Sequence, residues 1–230
     1  MKLKTSQKQM SESLWTIAFL TLSGGLQDSY SYFVRGKVFA NAQTGNLVFL
    51  ASTLFEGDWM KFIHYLIPVL FFACGVYAAA RARTFLSRFR KIHWRQWILF
   101  AEILLLCLVP FIEDNVIANS VISFCCAMQV QSFRKFRGQA FNSTMCVANT
   151  RGAMESLAHF RESRDPRKKE KLINYLLVLF FFCLGSGVGS WLATKLGLAT
   201  IWISSLFLTV SLLMMFIEID VEEESNPFAE

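Results

Sequence analysis

Side chains able to bind or transfer something are scarce in this chain, and most of them fall in two stretches. Asn41-Ala42-Gln43-Thr44-Gly45-Asn46 concentrates amide donors and acceptors, a hydroxyl and a permissive glycine. Entering the apolar run from Leu47, such a loop can present backbone N–H groups at a helix N-terminus to an anion, or Thr44 or Asn46 can cap that helix. Asp28, after Gly24-Gly25, is an isolated carboxylate in an otherwise uncharged stretch. Two roles fit it, a cation or proton site at a helix break and a structural pair with Arg35 or Lys37. Glu102 is a second lone acid. It suits a proton relay, because burial favours a neutral carboxyl, or a bridge to Arg95 at headgroup depth. Gln129, Gln131, Asn142, Ser143, Thr144, Asn149 and Arg151 form a later polar cluster. There Arg151 either neutralises an anionic ligand or pairs with Glu155, its i+4 neighbour.

No enzyme constellation accompanies these groups. His64, His93 and His159 stand apart, and neither a His-Glu-x-x-His nor a Gly-x-Ser-x-Gly element occurs. A Walker-type phosphate loop is missing, and Cys74, Cys107, Cys125, Cys126, Cys146 and Cys183 lack any zinc spacing. The cysteines read as small hydrophobes. Gly185-x-Gly187-x-Gly189 reads as close helix packing, since no strand precedes it. The expectation is no catalytic activity, no cofactor and no metal.

The elements that must position these residues belong in a membrane. The chain is 54% hydrophobic with 23 Phe and a mean hydropathy of +0.40, and only 17% is charged. Phe62–Ala80, Val116–Phe133, Leu172–Thr194 and Leu198–Ile217 contain no Asp, Glu, Lys or Arg. Leu14–Phe33 and Gln96–Ile112 each carry a single acid. Each is near the roughly 17–25 residues that span a bilayer as a helix. The reading is an all-α, polytopic protein of about six transmembrane helices. Leu14–Leu22 behind Lys2, Lys4 and Lys8 resembles a signal peptide, but no convincing small-x-small cleavage site follows and the apolar character resumes at Tyr30–Phe33, so it reads as a retained span. Six crossings put 19 of the 23 Lys and Arg residues on one side, leaving Arg35, Lys37, Lys61 and Lys195 on the other. That asymmetry places both termini in the cytoplasm. The basic runs Arg81–Arg95 and Arg161–Lys171 become contacts for anionic lipid, and nucleic acid is not the expected partner.

The chain also echoes itself. Ile63-x-Tyr65-Leu66-x-x-x-x-Phe71-Phe72-x-x-Gly75 returns as Ile173-x-Tyr175-Leu176-x-x-x-x-Phe181-Phe182-x-x-Gly185, offset by 110. Upstream, an offset of 103 pairs Ser29 with Ser132, Phe33 with Phe136 and Asn46 with Asn149. An offset of 102 instead pairs Gln27 with Gln129 and Arg35-Gly36 with Arg137-Gly138. Residues 14–112 and 116–217 then form two membrane repeats, flanked by a cytoplasmic tail (1–13) and an acidic tail (218–230). Three crossings per repeat invert one half against the other, a plan of secondary transporters. Val38–Phe55 and Phe141–Phe160 are read as re-entrant or half-buried segments, one from each side. If both crossed, eight helices would result and the basic residues would divide nearly evenly.

Gly24-Gly25-x-x-Asp28-x-x-x-Tyr32 followed by Val38-Phe39-x-Asn41-x-Gln43-Thr44-Gly45-Asn46 resembles the N-terminal signature of the YoaK-like family of bacterial membrane proteins. The resemblance extends through Ala127-Met128-Gln129 and Phe141-Asn142-Ser143-Thr144-Met145. Where the family repeats a Thr-Gly-Asn-like element, this chain has Val147-Ala148-Asn149 and then Thr150-Arg151. The resemblance implies a bacterial inner-membrane setting and no established reaction. The expected function is a gradient-driven transporter or permease for a small polar solute, with a non-transporting scaffold or lipid-interacting subunit as the alternative. Asn41, Gln43, Thr44, Gly45, Asn46, Gln129, Asn142 and Asn149 would contact solute, and Asp28 and Glu102 would carry the proton or cation. A homo-oligomer is left open. The charge partition makes a direct prediction. On a cysteine-free background, single cysteines near Ser87, Asp165 and Ser225 should be shielded from an impermeant external thiol reagent, and one near Asn115 should be labelled. Labelling at Ser87 without labelling at Asp165 would favour eight crossings.

Overall fold

The computed structural model describes residues 13–86, 93–136, 139–140 and 143–224. Among these residues eight α-helices follow one another: α1 (Leu14–Phe33), α2 (Gln43–Glu56), α3 (Trp59–Leu86), α4 (Trp94–Leu108), α5 (Asn115–Ser132), α6 (Cys146–Ser163), α7 (Pro166–Leu196) and α8 (Ile201–Glu224). Their ends are written in the sequence. The Ser13 side chain accepts the Thr16 N–H ahead of α1, and Asp114 and Asp165 cap α5 and α7, the latter with Pro166 in the first turn. Gly57 closes α2 in the left-handed conformation, at φ +74°. His93 and Gln96 form a capping box at α4. Burial, then the nearby charge of Arg95, pushes His93 below its ordinary pKa, which keeps Nδ1 an acceptor for the Arg95 N–H.

The all-α expectation holds apart from a two-residue antiparallel ladder, Lys135–Phe136 with Gln139–Ala140. Val38–Phe55 is helical only from Gln43, and the acidic segment 218–230 begins as a continuation of α8 to Glu224. Among the described residues, three helical stretches are long and apolar enough to cross a membrane: Trp59–Leu86, Trp94–Phe111, and Pro166–Phe216, which the turn Gly197–Thr200 divides into α7 and α8. The sequence reading counted α1 and α5 as well. Both are central helices whose packed faces are polar, with Ser23, Gln27, Asp28 and Ser29 buried on α1 and Asn119, Ser123 and Gln129 on α5. A helix wrapped by others can be less apolar than one facing lipid. The exterior is the reverse. Phe55, Trp59, Met60, Tyr77, Phe111 and Trp191 are among many exposed large hydrophobics, while buried polar side chains are as numerous as buried apolar ones. Such an outside suits lipid better than water.

Two helix crossings set the core. A Cβ at Gly185 would strike the carbonyl of Leu22, and one at Gly25 would strike the Phe182 carbonyl, so α1 and α7 meet backbone to backbone. Gly189 packs against Leu26 on the same crossing, where a Cβ would lie 3.0 Å from the Leu26 Cα. A Cβ at Gly75 would meet the Phe124 carbonyl, so α3 crosses α5 the same way. Small residues are what permit such approach. The two crossings correspond: Gly75 and Gly185 are 110 apart, Leu22 and Phe124 are 102 apart. Within the first helices, contact therefore selects the 102 register over 103. The remaining partners exchange in the same sense, with α1 on α7 and α8, α5 on α3 and α4, α2 on α3, and α6 on α7.

Gly187 tests this reading, since nothing lies within 4 Å of a Cβ placed there. Gly185→Ala should lower stability by about 1–3 kcal/mol through overpacking. Gly187→Ala should be neutral or stabilising by up to about 1 kcal/mol, because alanine favours the helix. Thermal unfolding of the two variants in detergent decides between a packed stripe and indifferent glycines.

Candidate functional site

The site begins where α1 stops. Gly36 and Lys37 take positive φ, +89° and +68°, and turn the chain back along α1. The returning segment has no helical or strand partner, so side chains of α1 supply its hydrogen bonds. Ser31 Oγ accepts from the Ala40 N–H at 3.1 Å, and Asp28 Oδ1 accepts from the Asn41 N–H at 2.7 Å. Asn41 Nδ2 donates to the Gly24 carbonyl at 3.1 Å. Asn46 closes the loop from the other end. Its Oδ1 accepts the Phe39 N–H at 3.0 Å, and its Nδ2 donates to the Phe39 carbonyl at 2.7 Å and Gln43 Oε1 at 3.0 Å. Asn46 is thus a loop fastener. Neither Thr44 nor Asn46 caps α2; its N-cap position is Ala42, which makes no side-chain cap bond.

Asp28 is only 8% exposed and pairs with neither expected cation. Arg35 is buried elsewhere: Nε donates to the Tyr30 hydroxyl at 2.9 Å, and its two terminal nitrogens donate to the carbonyls of Val109 and Ile112, each at 2.7 Å. Those carbonyls lie just past the end of α4, where the helix dipole favours a cation. Lys37 lies over the rings of Tyr32 and Phe33, at 4.7 and 5.1 Å.

The second break approaches the same place. α6 starts at Cys146 behind Met145, with no side-chain cap and no acid in its first turn. Ser143 and Asn149 are buried, and Gln129 Nε2 donates to the Leu20 carbonyl at 2.9 Å. Arg151 forms no pair with Glu155 and is exposed. Between the two breaks lies a cavity of about 970 Å³. Asp28, Asn41, Gln43 and Thr44 line it from the first half, and Thr144 to Ala148 with Arg151 line it from the second. Of the remaining expected residues, Gly45, Asn46, Gln129, Asn149 and Glu102 lie off its wall, and Asn142 falls outside the described residues.

Sequence reasoning missed the apolar wall of Tyr32, Phe33, Phe39, Phe72 and Phe182. A signal existed, because Phe72 and Phe182 are equivalent positions of the 110-residue echo. Tyr32 and Phe39 stack with ring centroids 4.6 Å apart.

Glu102 occupies a second, closed polar centre. It is fully buried, and neither carboxyl oxygen is hydrogen-bonded to Arg95 or to any other described residue. Gln27 lies beside it. Gln27 Nε2 donates to Ser23 Oγ and Ser204 Oγ, each at 3.0 Å, and Gln27 Oε1 accepts from Cys126 Sγ at 2.7 Å. Among the described residues, no group of three or more His, Cys, Asp or Glu is placed to hold a metal ion.

The chain belongs to the family described as a protein of unknown function (DUF1275), whose model matches residues 16–214. That span contains every residue of the site. No curated protein and no solved structure matches the chain. The sequence resemblance is thereby supported at the level of an uncharacterised family, with no named relative behind the YoaK-like label.

The fastener role of Asn46 carries its own prediction. Asn46→Leu leaves the part-buried N–H and C=O of Phe39 without partners and should cost about 2–4 kcal/mol, the lower part of one to three kcal/mol for each of two orphaned groups. Thermal unfolding in detergent measures this. An unchanged melting temperature with loss of solute binding would instead make Asn46 a ligand contact.

Proposed function

We propose that this family member is a multi-pass inner-membrane permease that moves a small polar solute under a proton or cation gradient. One observation carries the reading: both chain breaks, from opposite halves of the sequence, end on one cavity that holds an acid and a base. In the proposed arrangement the halves are inverted repeats with six crossings and cytoplasmic termini. The exchange of helix partners and the matching glycine crossings support it. α2 has 14 residues, about 21 Å of helix, too short for a hydrocarbon core of about 30 Å. Its length supports a re-entrant placement. α6 carries Arg151, Glu155, His159 and Arg161, which supports the same for the second half. Broken helices meeting between inverted halves form solute sites in secondary transporters.

In this mechanism Asp28 and Glu102 handle the coupling ion. Asp28 borders the cavity and holds the Asn41 backbone, so a change in its charge loosens or tightens the wall that solute touches. Glu102 is linked to it through Gln27, one residue away on α1 and facing the buried centre. Asn41, Gln43 and Thr44 meet the solute, and the basic loops hold anionic lipid. A second reading, a scaffold or lipid-interacting subunit, draws on the same polar contacts as fasteners, such as Ser29 with Ser186 at 2.7 Å.

Proteoliposomes with and without the protein, offered a metabolite mixture under an imposed proton or sodium gradient, separate these readings. Gradient-dependent uptake of a polar solute is expected. Asp28→Asn should abolish the gradient dependence while the fold and measurable, though weaker, solute binding persist, and Glu102→Gln should reduce coupling at least about tenfold, the loss of one charge-assisted step. Uptake absent for every solute would leave the scaffold reading. Unchanged coupling in Asp28→Asn would remove that residue from the mechanism.

A further inference from the structure

We propose that the cavity receives a zwitterion on an apolar body: a molecule with an ammonium group and a carboxylate or phosphate joined to a hydrophobic portion. This rests on the reading of the cavity as the solute site. Two charges of opposite sign border one chamber, and neither has a counter-ion among the described residues. Asp28 is more than nine-tenths buried and receives only backbone N–H groups, so its remaining negative charge faces the chamber. Asn41, on the same wall and equally buried, keeps a side-chain carbonyl with no hydrogen-bond partner. A buried carboxylate on this wall accepts an ammonium group.

The opposite wall favours an anion. Arg151 carries a fixed charge with no partner, and it follows the first turn of α6, whose N-terminus has neither a side-chain cap nor an acid. Unsatisfied N–H groups at a helix start and a guanidinium together suit a carboxylate or a phosphate. The aromatic wall supplies the third contact. Phe33, Phe39 and Phe182 give the apolar portion a surface, and ring faces also favour the cationic end. A cation alone would leave Arg151 unmatched, and an anion alone would leave Asp28 unmatched. The chemistry fits an amino-acid-like solute and also a zwitterionic lipid headgroup.

Calorimetric titration of the purified protein in detergent tests this with phenylalanine, phenethylamine and phenylpropionate. Dihexanoyl phosphatidylethanolamine is set against dihexanoyl phosphatidylglycerol as the lipid arm. The expected result is that one zwitterion, soluble or lipid, binds at least about tenfold more tightly than its single-charge counterparts. Arg151→Gln should erase the advantage over the amine. Because Arg151 is exposed and unpaired, this variant keeps its fold. Asp28→Asn should erase the advantage over the acid. Equal affinity for amine and zwitterion, indifference to Arg151→Gln, or no saturable binding by any compound would overturn the proposal. Gradient-driven uptake of solutes lacking this charge pair would sink the zwitterion and leave the permease standing. Zwitterion binding without uptake of anything would do the reverse.

Discussion

The nine residues after α1 turn back along it without belonging to a helix, four of them (Arg35, Val38, Ala40 and Asn41) buried, and most of what surrounds them follows from that constraint. Buried backbone N–H and C=O groups need partners, and within an apolar exterior water does not supply them freely. Here the partners are the side chains of α1. Asp28, Ser31 and the carbonyl of Gly24 receive Asn41 and Ala40, while Asn46 clamps Phe39 from the far side. The polar face of α1 is thus required by the break, and a helix with that face has to be central. Once α1 is central, α7 must pass close to it, and Gly25, Gly185 and Gly189 remove the side chains that would keep the two apart.

The same logic accounts for the inside-out distribution of polarity. Four residue types that ordinarily seek water, serine, threonine, asparagine and glutamine, fill the interior, and Trp, Phe and Met cover the outside. Each buried polar group is tolerable where it bonds another. Ser23, Gln27, Ser204 and Cys126 do so across α1, α8 and α5. Others lack a partner, among them the hydroxyls of Ser123 and Thr200, and Glu102 stands with these as an acid. A carboxyl at that depth costs stability, and the proposed permease gives Glu102 a part in coupling.

The elements were legible in the sequence because hydrophobic run length and caps report directly on helices. Ser13, Asp114 and Asp165-Pro166 mark starts, and Leu14–Phe33 was located to the residue. The site was half legible. Asp28, Asn41, Gln43 and Thr44 stood out as polar residues amid apolar ones, which is the signal that a wet or fastened position leaves. Asn46 and Gln129 leave the same signal and serve as fasteners, so composition cannot separate a bond to backbone from a bond to solute. A pairing of Asp28 with Arg35 or Lys37, one of two roles open to it from sequence, rests on proximity along the chain. It fails because Arg35 meets the end of α4, a neighbour that is 74 residues away in the chain. The aromatic wall was hidden in plain composition: with 23 Phe, five aromatic residues around one cavity carry no local mark.

Charge at the cavity arises from the differences between the two halves. In the register fixed by the glycine crossings, Gln27 and Gln129 correspond and both are buried, while Asp28 corresponds to Val130. Val130 lies off the cavity wall, so the acid that borders the chamber comes from the first half alone. Across the chamber, the second half contributes Arg151, and its equivalent at 103 residues upstream is Val48, again without charge. The matched framework holds two breaks together, and the unmatched residues make one side negative and the other positive. A symmetric cavity would treat both ends of a solute alike. In the proposed permease, this one can orient a solute that has two different ends.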